Sequence, residues 1–224
     1  MRDDNFIKID VGNKIEFEPG ITSKNIMVNV HNGIVTLSGS VSNYYQKSLA
    51  ERAAKNVQGV KGIVEELQVN LGESFKRSDE EIAEAAIRAI DWDATIPSGR
   101  VTITVEHGII TLTGDVEYQY QRERASQDVK YIYGVKNVVN NITLKPTLTI
   151  NPDQVASKIL SEFQRNAIID ARNIRVKTDG SKIILKGNLH SWAEYDEASH
   201  AAWSIPGVTQ VDMREVTISY PNYT

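Results

Sequence analysis

Three stretches decide how this chain folds: NIMVNVHNGIVTLSGSV at residues 25–41, RVTITVEHGIITLTGDV at 100–116 and NIRVKTDGSKIILKGNL at 173–189. Each is an alternating apolar segment, a turn containing Gly, a second apolar segment and a closing Gly. The closing glycines are Gly39, Gly114 and Gly187, at nearly even intervals along the chain. A Gly-Val pair follows each of them at one fixed distance, as Gly59-Val60, Gly134-Val135 and Gly207-Val208. Ala50, Ala125 and Ala198 likewise share a single offset from the glycine before them. A period of 73–75 residues carried by matched positions is the mark of one structural unit used three times.

Working outward from these stretches gives the unit. A helix precedes each one. In the second copy Ser78 and Glu81 make a capping box ahead of Ile82, Ala86, Ala89 and Ile90. In the third, Asn151 is placed to cap, Pro152 takes the first helical position, and Val155, Ile159 and Phe163 form the apolar stripe. In the first, Ile7, Val11 and Ile15 do so, with Gly12 as a weak spot. Two strands follow, turning at Asn32-Gly33, His107-Gly108 and Asp179-Gly180, where Gly accepts positive φ without steric cost. The third hairpin is expected to carry a bulge after its turn. A second helix runs through Ala50, Ala53, Ala54 and Val57, through Ala125, Val129 and Ile132, and through Ala198, Ala201, Ala202 and Ile205. Gly59, Gly134 and Gly207 are expected to stop it. A last strand closes each unit, as at 63–69 and 138–144. The fold class is therefore α+β: three tandem α-β-β-α-β units over 1–72, 76–146 and 150–220, each a small three-stranded sheet with two helices on one face. Alternation puts Ile26, Val28, Val30, Val35 and Leu37 under the helices and leaves the other face open. The joints at Gly72-Glu73-Ser74 and Lys145-Pro146-Thr147 are short, so the units are expected to pack together or hold restricted orientations.

Composition narrows the function. The chain has 224 residues, 41% hydrophobic and 24% charged, close to globular averages and far from a disordered or fibrous chain. Zero Cys excludes disulfides, thiolate zinc sites and a thiol nucleophile. A net charge of −4 gives no global pull toward nucleic acid. No apolar run approaches the ~18 residues of a transmembrane segment. The opening MRDDNFIKID is acidic and lacks an apolar region. The expected address of the sequence as it stands is the cytoplasm, or the periplasm if a signal has been trimmed from it.

The repeat closely resembles the BON-domain family, named from osmotically inducible, OsmY-like proteins of bacteria. The turn glycine with VTLSG, ITLTG or IILKG carries the resemblance, together with the Ala-rich second helix and the Gly-Val after it. RNAIIDARNIRV, SWAEYDEA and AAWSIPGV make the third copy especially typical. The resemblance covers nearly the whole chain. It implies the α-β-β-α-β fold, a transport-associated or stress-response role in bacteria, often in the envelope, and no enzymatic activity. It also implies attachment to phospholipid surfaces. A cytoplasmic branch of the family binds potassium and joins its domain to a LysM module, which this sequence lacks.

The residues themselves offer little catalytic chemistry. His31, His107, His190 and His200 form no His-x-x-x-His pair, and no metal site is expected. There is no Gly-x-Gly-x-x-Gly, no Walker-type Gly-Lys-Ser/Thr and no Gly-x-Ser-x-Gly elbow. No catalytic residue and no cofactor is assigned, and the chain is read as a non-enzyme. One surface stands out. Alternation puts Arg175 and Lys177 on one strand of the third unit and Lys182 and Lys186 on its neighbour, all on the open face. These four are the lipid-binding candidates. The same face carries Thr102, Thr104, Thr111 and Thr113 in the second unit, and Met27, Asn29, Ile34, Thr36 and Ser38 in the first. Aromatic residues gather where each second helix begins: Tyr44 and Tyr45, Tyr118 and Tyr120, Trp192 and Tyr195. They are interface candidates, toward a membrane or a protein, and the plainer reading is packing against the sheet end or a neighbouring unit. Phe17, Trp92 and Trp203 are expected in the core. The leading function is association with an anionic phospholipid surface in the bacterial envelope or osmotic stress. The alternatives are a soluble stress protein acting through protein partners or self-association, and a potassium-binding module.

Overall fold

Asp4 shows how the first helix and the first hairpin are tied together. It opens α1 (Asp4–Phe17), and its carboxylate accepts the backbone N–H groups of Asn32 and Gly33 at 2.7 and 2.9 Å. Those residues form the turn between β1 (Ile26–His31) and β2 (Ile34–Val41). Both have positive φ, 53° and 79°, as a type I′ hairpin requires. The second repeat reproduces the device in this computed structural model, which describes residues 3–147, 152–166 and 168–219. There Asp79 accepts from His107 and Gly108 at 2.7 and 2.8 Å. In the third repeat Pro152 stands at that position and offers no carboxylate.

After β2 the chain enters α2 (Tyr44–Lys55) and returns as β3 (Gly62–Val69). The second repeat runs α3 (Asp79–Trp92), β4 (Val101–Glu106), β5 (Ile109–Val116), α4 (Gln119–Val129), β6 (Asn137–Asn140) and β7 (Thr143–Leu144). The third runs α5 (Pro152–Arg165), β8 (Ile174–Asp179), β9 (Lys182–Leu189), α6 (Trp192–Trp203) and β10 (Gln210–Ile218). In every copy the hairpin is antiparallel and the strand after the second helix adds parallel to the middle strand. The architecture is therefore α+β in three copies. The helix order, the capping box at Ser78 and Glu81 and the Ile7–Val11–Ile15 stripe match the sequence reading. Asn151 as a cap lies outside the described residues.

The closing glycines follow from a close approach of backbone. Gly39, Gly114 and Gly187 have φ of 111°, 121° and 149°. A Cβ on them would sit 1.9–2.0 Å from the carbonyl oxygens of Asn25, Arg100 and Asn173, where the chain enters the first strand. No side chain fits there.

The core of each repeat lies between its sheet and its two helices. In the first, Ile7, Val11 and Ile15 meet Val35, Leu37, Ala50, Ala54 and Leu67. In the third, Ile159 and Phe163 meet Ile183, Leu185, Ala198 and Ala202. The chain divides into two compact units, one of Met1–Asp115 with Gln121–Thr143, the other of Val116–Tyr120 with Leu144–Thr224. Within the first unit, repeat one meets repeat two through α2. Tyr45 packs on Tyr131 at 4.8 Å between ring centres, and the backbone of Val138 on β6 acts on the Tyr44 hydroxyl.

Four expectations need correction. Phe17 and Trp92 are not core residues but 83% and 87% exposed. Each lies two positions past the last residue of the buried stripe, about 200° further round the helix, and so faces water. Trp203 is only half-buried, against the third core. The third hairpin has no bulge in its loop: Asp179 pairs with Lys182 across a two-residue Gly180-Ser181 turn, with positive φ only at Gly180. The irregularity of that sheet is in β10, between Asp212 and Glu215. Finally, the second helices end at Lys55, Val129 and Trp203, and Gly59, Gly134 and Gly207 lie four or five positions further on, in the turn to the last strand.

Candidate functional site

The open face of the third repeat is built by register. β8 and β9 pair Arg175 with Lys186, Lys177 with Ile184 and Asp179 with Lys182. Residues paired across an antiparallel ladder point to the same side of the sheet. All four cation candidates therefore share one face, opposite the buried Ile183 and Leu185.

The parallel neighbour β10 changes the electrostatics. Its Asp212 lies beside Ile184 and its Glu215 beside Lys186. Lys182 is 2.9 Å from Asp212, and Lys186 is 2.5 Å from Glu215. Arg214, in the irregular stretch, also meets Asp212 at 2.6 Å. The Arg214 and Lys182 hydrogen bonds hold the Asp212 carboxyl well below the usual carboxylate range, so it stays charged in all ordinary buffers. Two of the four cations are thus neutralised locally. Arg175 and Lys177 are exposed and have no ion-pair partner among the described residues.

The other two repeats put different chemistry on the same positions. Ile34 and Ile109 stand where Lys182 does, and Val64 and Val139 where Asp212 does. These four are partly exposed apolar residues, not ions. One fold carries two apolar-centred open faces and one charged face.

The aromatic candidates separate into two kinds. Tyr44 and Tyr45 belong to the contact between repeats one and two; burial, followed by the charge of Glu51, raises the Tyr44 hydroxyl pKa. Tyr118 and Tyr120 stack with ring centres 5.5 Å apart, and Tyr120 is half exposed. Trp192 and Tyr195 meet edge to face at 5.2 Å. These are local pairs at the start of a helix.

A groove of about 530 Å³ in the first unit is lined by Lys76, Arg77, Lys136 and His107 beside Asp79. Its cations are already used. Lys136 Nζ donates to the His107 carbonyl at 3.1 Å, and Arg77 donates to the Ser74 and Lys76 carbonyls at 3.2 and 2.8 Å. Lys76 pairs with Glu73. Among the described residues no group of His, Asp and Glu could hold a metal, and no helix is long and apolar enough to cross a membrane.

Sequence reasoning missed Asp212, Arg214 and Glu215 as members of the charged face. Only alternation within β10 could have flagged them, and the irregularity there breaks it. It also missed a cluster of Asp93, Arg124 and Asp128, of which only the Arg124–Asp128 spacing of one helical turn was visible.

The repeated α-β-β-α-β unit, with a glycine-closed hairpin and an exposed sheet face, defines a small α+β domain used in series. The chain belongs to the BON-domain family, whose model matches residues 3–70, 78–146 and 151–219. Among curated proteins it is 31% identical over 147 residues to osmotically-inducible protein Y of Escherichia coli K12, covering 64% of this chain and 73% of that protein. It is 30% identical over 139 residues to the outer membrane lipoprotein DolP of Haemophilus influenzae, covering 59% of this chain and 72% of that one. Among solved structures it aligns with CdsD, a structural protein of the type III secretion system of Chlamydia trachomatis, at 14% identity and a TM-score of 0.28, covering 96% of this chain and 92% of that one. An overlay that loose carries no argument.

Proposed function

We propose that this protein is a non-enzymatic binding module that attaches peripherally to anionic phospholipid surfaces of the bacterial envelope, in a setting of osmotic or envelope stress. The observation that carries the reading is the pair Arg175 and Lys177, two exposed cations on one strand and one open face, with no carboxylate partner among the described residues. The kinship with an osmotically inducible protein and an outer membrane lipoprotein supports the setting.

The magnitude sets what kind of binding to expect. Each cation near an anionic leaflet contributes about 1 kcal/mol, within a Debye length of ~8–10 Å. Lys182 and Lys186, held by Asp212 and Glu215, add less than their number suggests. Attachment through this face is therefore weak alone and sensitive to salt. Sedimentation with vesicles of phosphatidylglycerol and phosphatidylcholine tests it. The protein pellets with these vesicles at low salt, not with phosphatidylcholine alone, and R175E/K177E stays in the supernatant. Equal recovery on both vesicle types, or an unaffected double variant, overturns the reading.

A second reading, protein partners or self-association, is favoured by the Tyr118–Tyr120 pair with its half-exposed ring. It predicts an oligomer insensitive to salt and no pelleting with vesicles.

A further inference from the structure

We propose that Asp93, Arg124 and Asp128 form a proton-operated latch between the exit of α3 and α4. Asp93 is the residue on which α3 ends, and its side chain is only 8% exposed. Arg124 Nε reaches it at 2.7 Å from α4, and the Thr95 hydroxyl and N–H donate to it at 2.6 and 2.8 Å. One turn further along α4, Asp128 points at the same place. Its Oδ1 lies 3.6 Å from the Arg124 guanidinium, a long contact, and its buried Oδ2 has no hydrogen-bond partner.

The arrangement is one proton short. Asp93 already has its acceptor sites filled by Thr95 and Arg124, which hold its carboxyl far below the ordinary value. Asp128 lies within hydrogen-bonding reach of Asp93, yet two ionised carboxylates have nothing to share. A proton on Asp128 turns that repulsion into a hydrogen bond and relieves the buried oxygen. Burial, then the Asp93 hydrogen bond, raise the Asp128 carboxyl to about 6, against the pull of Arg124. Asp93 from the α3 exit and Arg124 from its own helix are the charged groups that act on it.

The other repeats show that the fold does not need this device. At the positions of Asp93, Arg124 and Asp128 the first repeat has Glu18, Leu49 and Ala53, the latter two buried. The third has Asn166, Glu197 and Ala201, and there the Asn166 amide donates to Glu197 at 2.7 Å, a bond independent of a shared proton. At these three positions the second copy alone places two carboxylates around one guanidinium.

The sign follows from linkage. A carboxyl at about 6 in the folded chain against an ordinary 3.8 favours the folded state in acid and loses that contribution as pH rises through 6. The folded-to-unfolded ratio of this repeat then falls about tenfold between pH 5 and pH 7. Two measurements on the full chain test the latch. Carboxyl-carbon NMR shows an Asp resonance titrating near pH 6, absent in D128N. Thermal unfolding of the wild type rises from pH 7 to pH 5, while D128N stays level and begins higher at pH 7. An Asp128 carboxyl that titrates near 4, or parallel pH profiles for the two proteins, overturns the proposal.

Discussion

Gly114 carries a positive φ of 121° and lies so close to the Arg100 carbonyl that a Cβ would stand 2.0 Å from it. The obstacle is backbone, which cannot swing aside. Gly114→Ala is expected to destabilise the second repeat by more than about 2 kcal/mol, read as a lower denaturant midpoint with an unchanged slope. Glu194 is a different residue-scale device. It is only 2% exposed, and its two carboxylate oxygens accept the N–H groups of Asp170 and His190 at 2.8 and 2.6 Å. Gln46 and Gln121 hold the same position in the other repeats and reach Thr22 and Thr95. Glu194→Ala leaves two donors without their acceptor and is expected to cost roughly 2–3 kcal/mol in thermal unfolding. These residues were unequally legible. The glycine announced itself by recurring at a fixed place in three copies. The buried acid did not, because a Glu on the first turn of a helix reads as a solvated cap until the loop over it is known.

At the scale of elements, the hairpins and first helices were readable because their signals are local. The capping box at Ser78 and Glu81, the apolar stripe at 7, 11 and 15, and two-residue turns span a few positions each. What eluded reading was where elements meet. The carboxylates of Asp4 and Asp79, which fasten helix starts to distant hairpin turns, look in sequence like ordinary first-turn acids. Asp79, together with Asp93, also shapes the pH response of the second repeat. The backbone N–H groups of Gly108 and His107 depress Asp79, and Thr95 and Arg124 depress Asp93. Both favour folding above the ordinary value of 3.8 and lose that contribution as pH falls below it. Asp128 runs the other way, from about 6. These three carboxyls together favour folding of the second repeat most strongly between those two limits.

At the scale of the whole molecule, one backbone plan carries two apolar-centred open faces and one charged face. Ile34 with Val64 and Ile109 with Val139 are replaced in the third repeat by Lys182 with Asp212. Removing the carboxylates tests whether that charge pairing restrains membrane attachment. D212N/E215Q uncovers Lys182 and Lys186 and is expected to increase recovery on phosphatidylglycerol vesicles at low salt, the opposite of R175E/K177E. An unchanged recovery would place the attachment elsewhere.

By itself the amino-acid order determined the threefold unit, its element sequence, its glycines and the face on which Arg175, Lys177, Lys182 and Lys186 lie. Each of these depends on the short periodicities of strand and helix and on turn chemistry within a few positions. The tertiary structure alone decided which of those cations are neutralised, that Tyr44 and Tyr45 serve the contact between repeats one and two, and that Phe17 and Trp92 face water. The first two outcomes rest on pairings between segments far apart in the chain, and the third on where a helix stops relative to its buried stripe. Register, an irregular strand and the angle at which a helix ends set them, and none of these leaves a local trace in the chain.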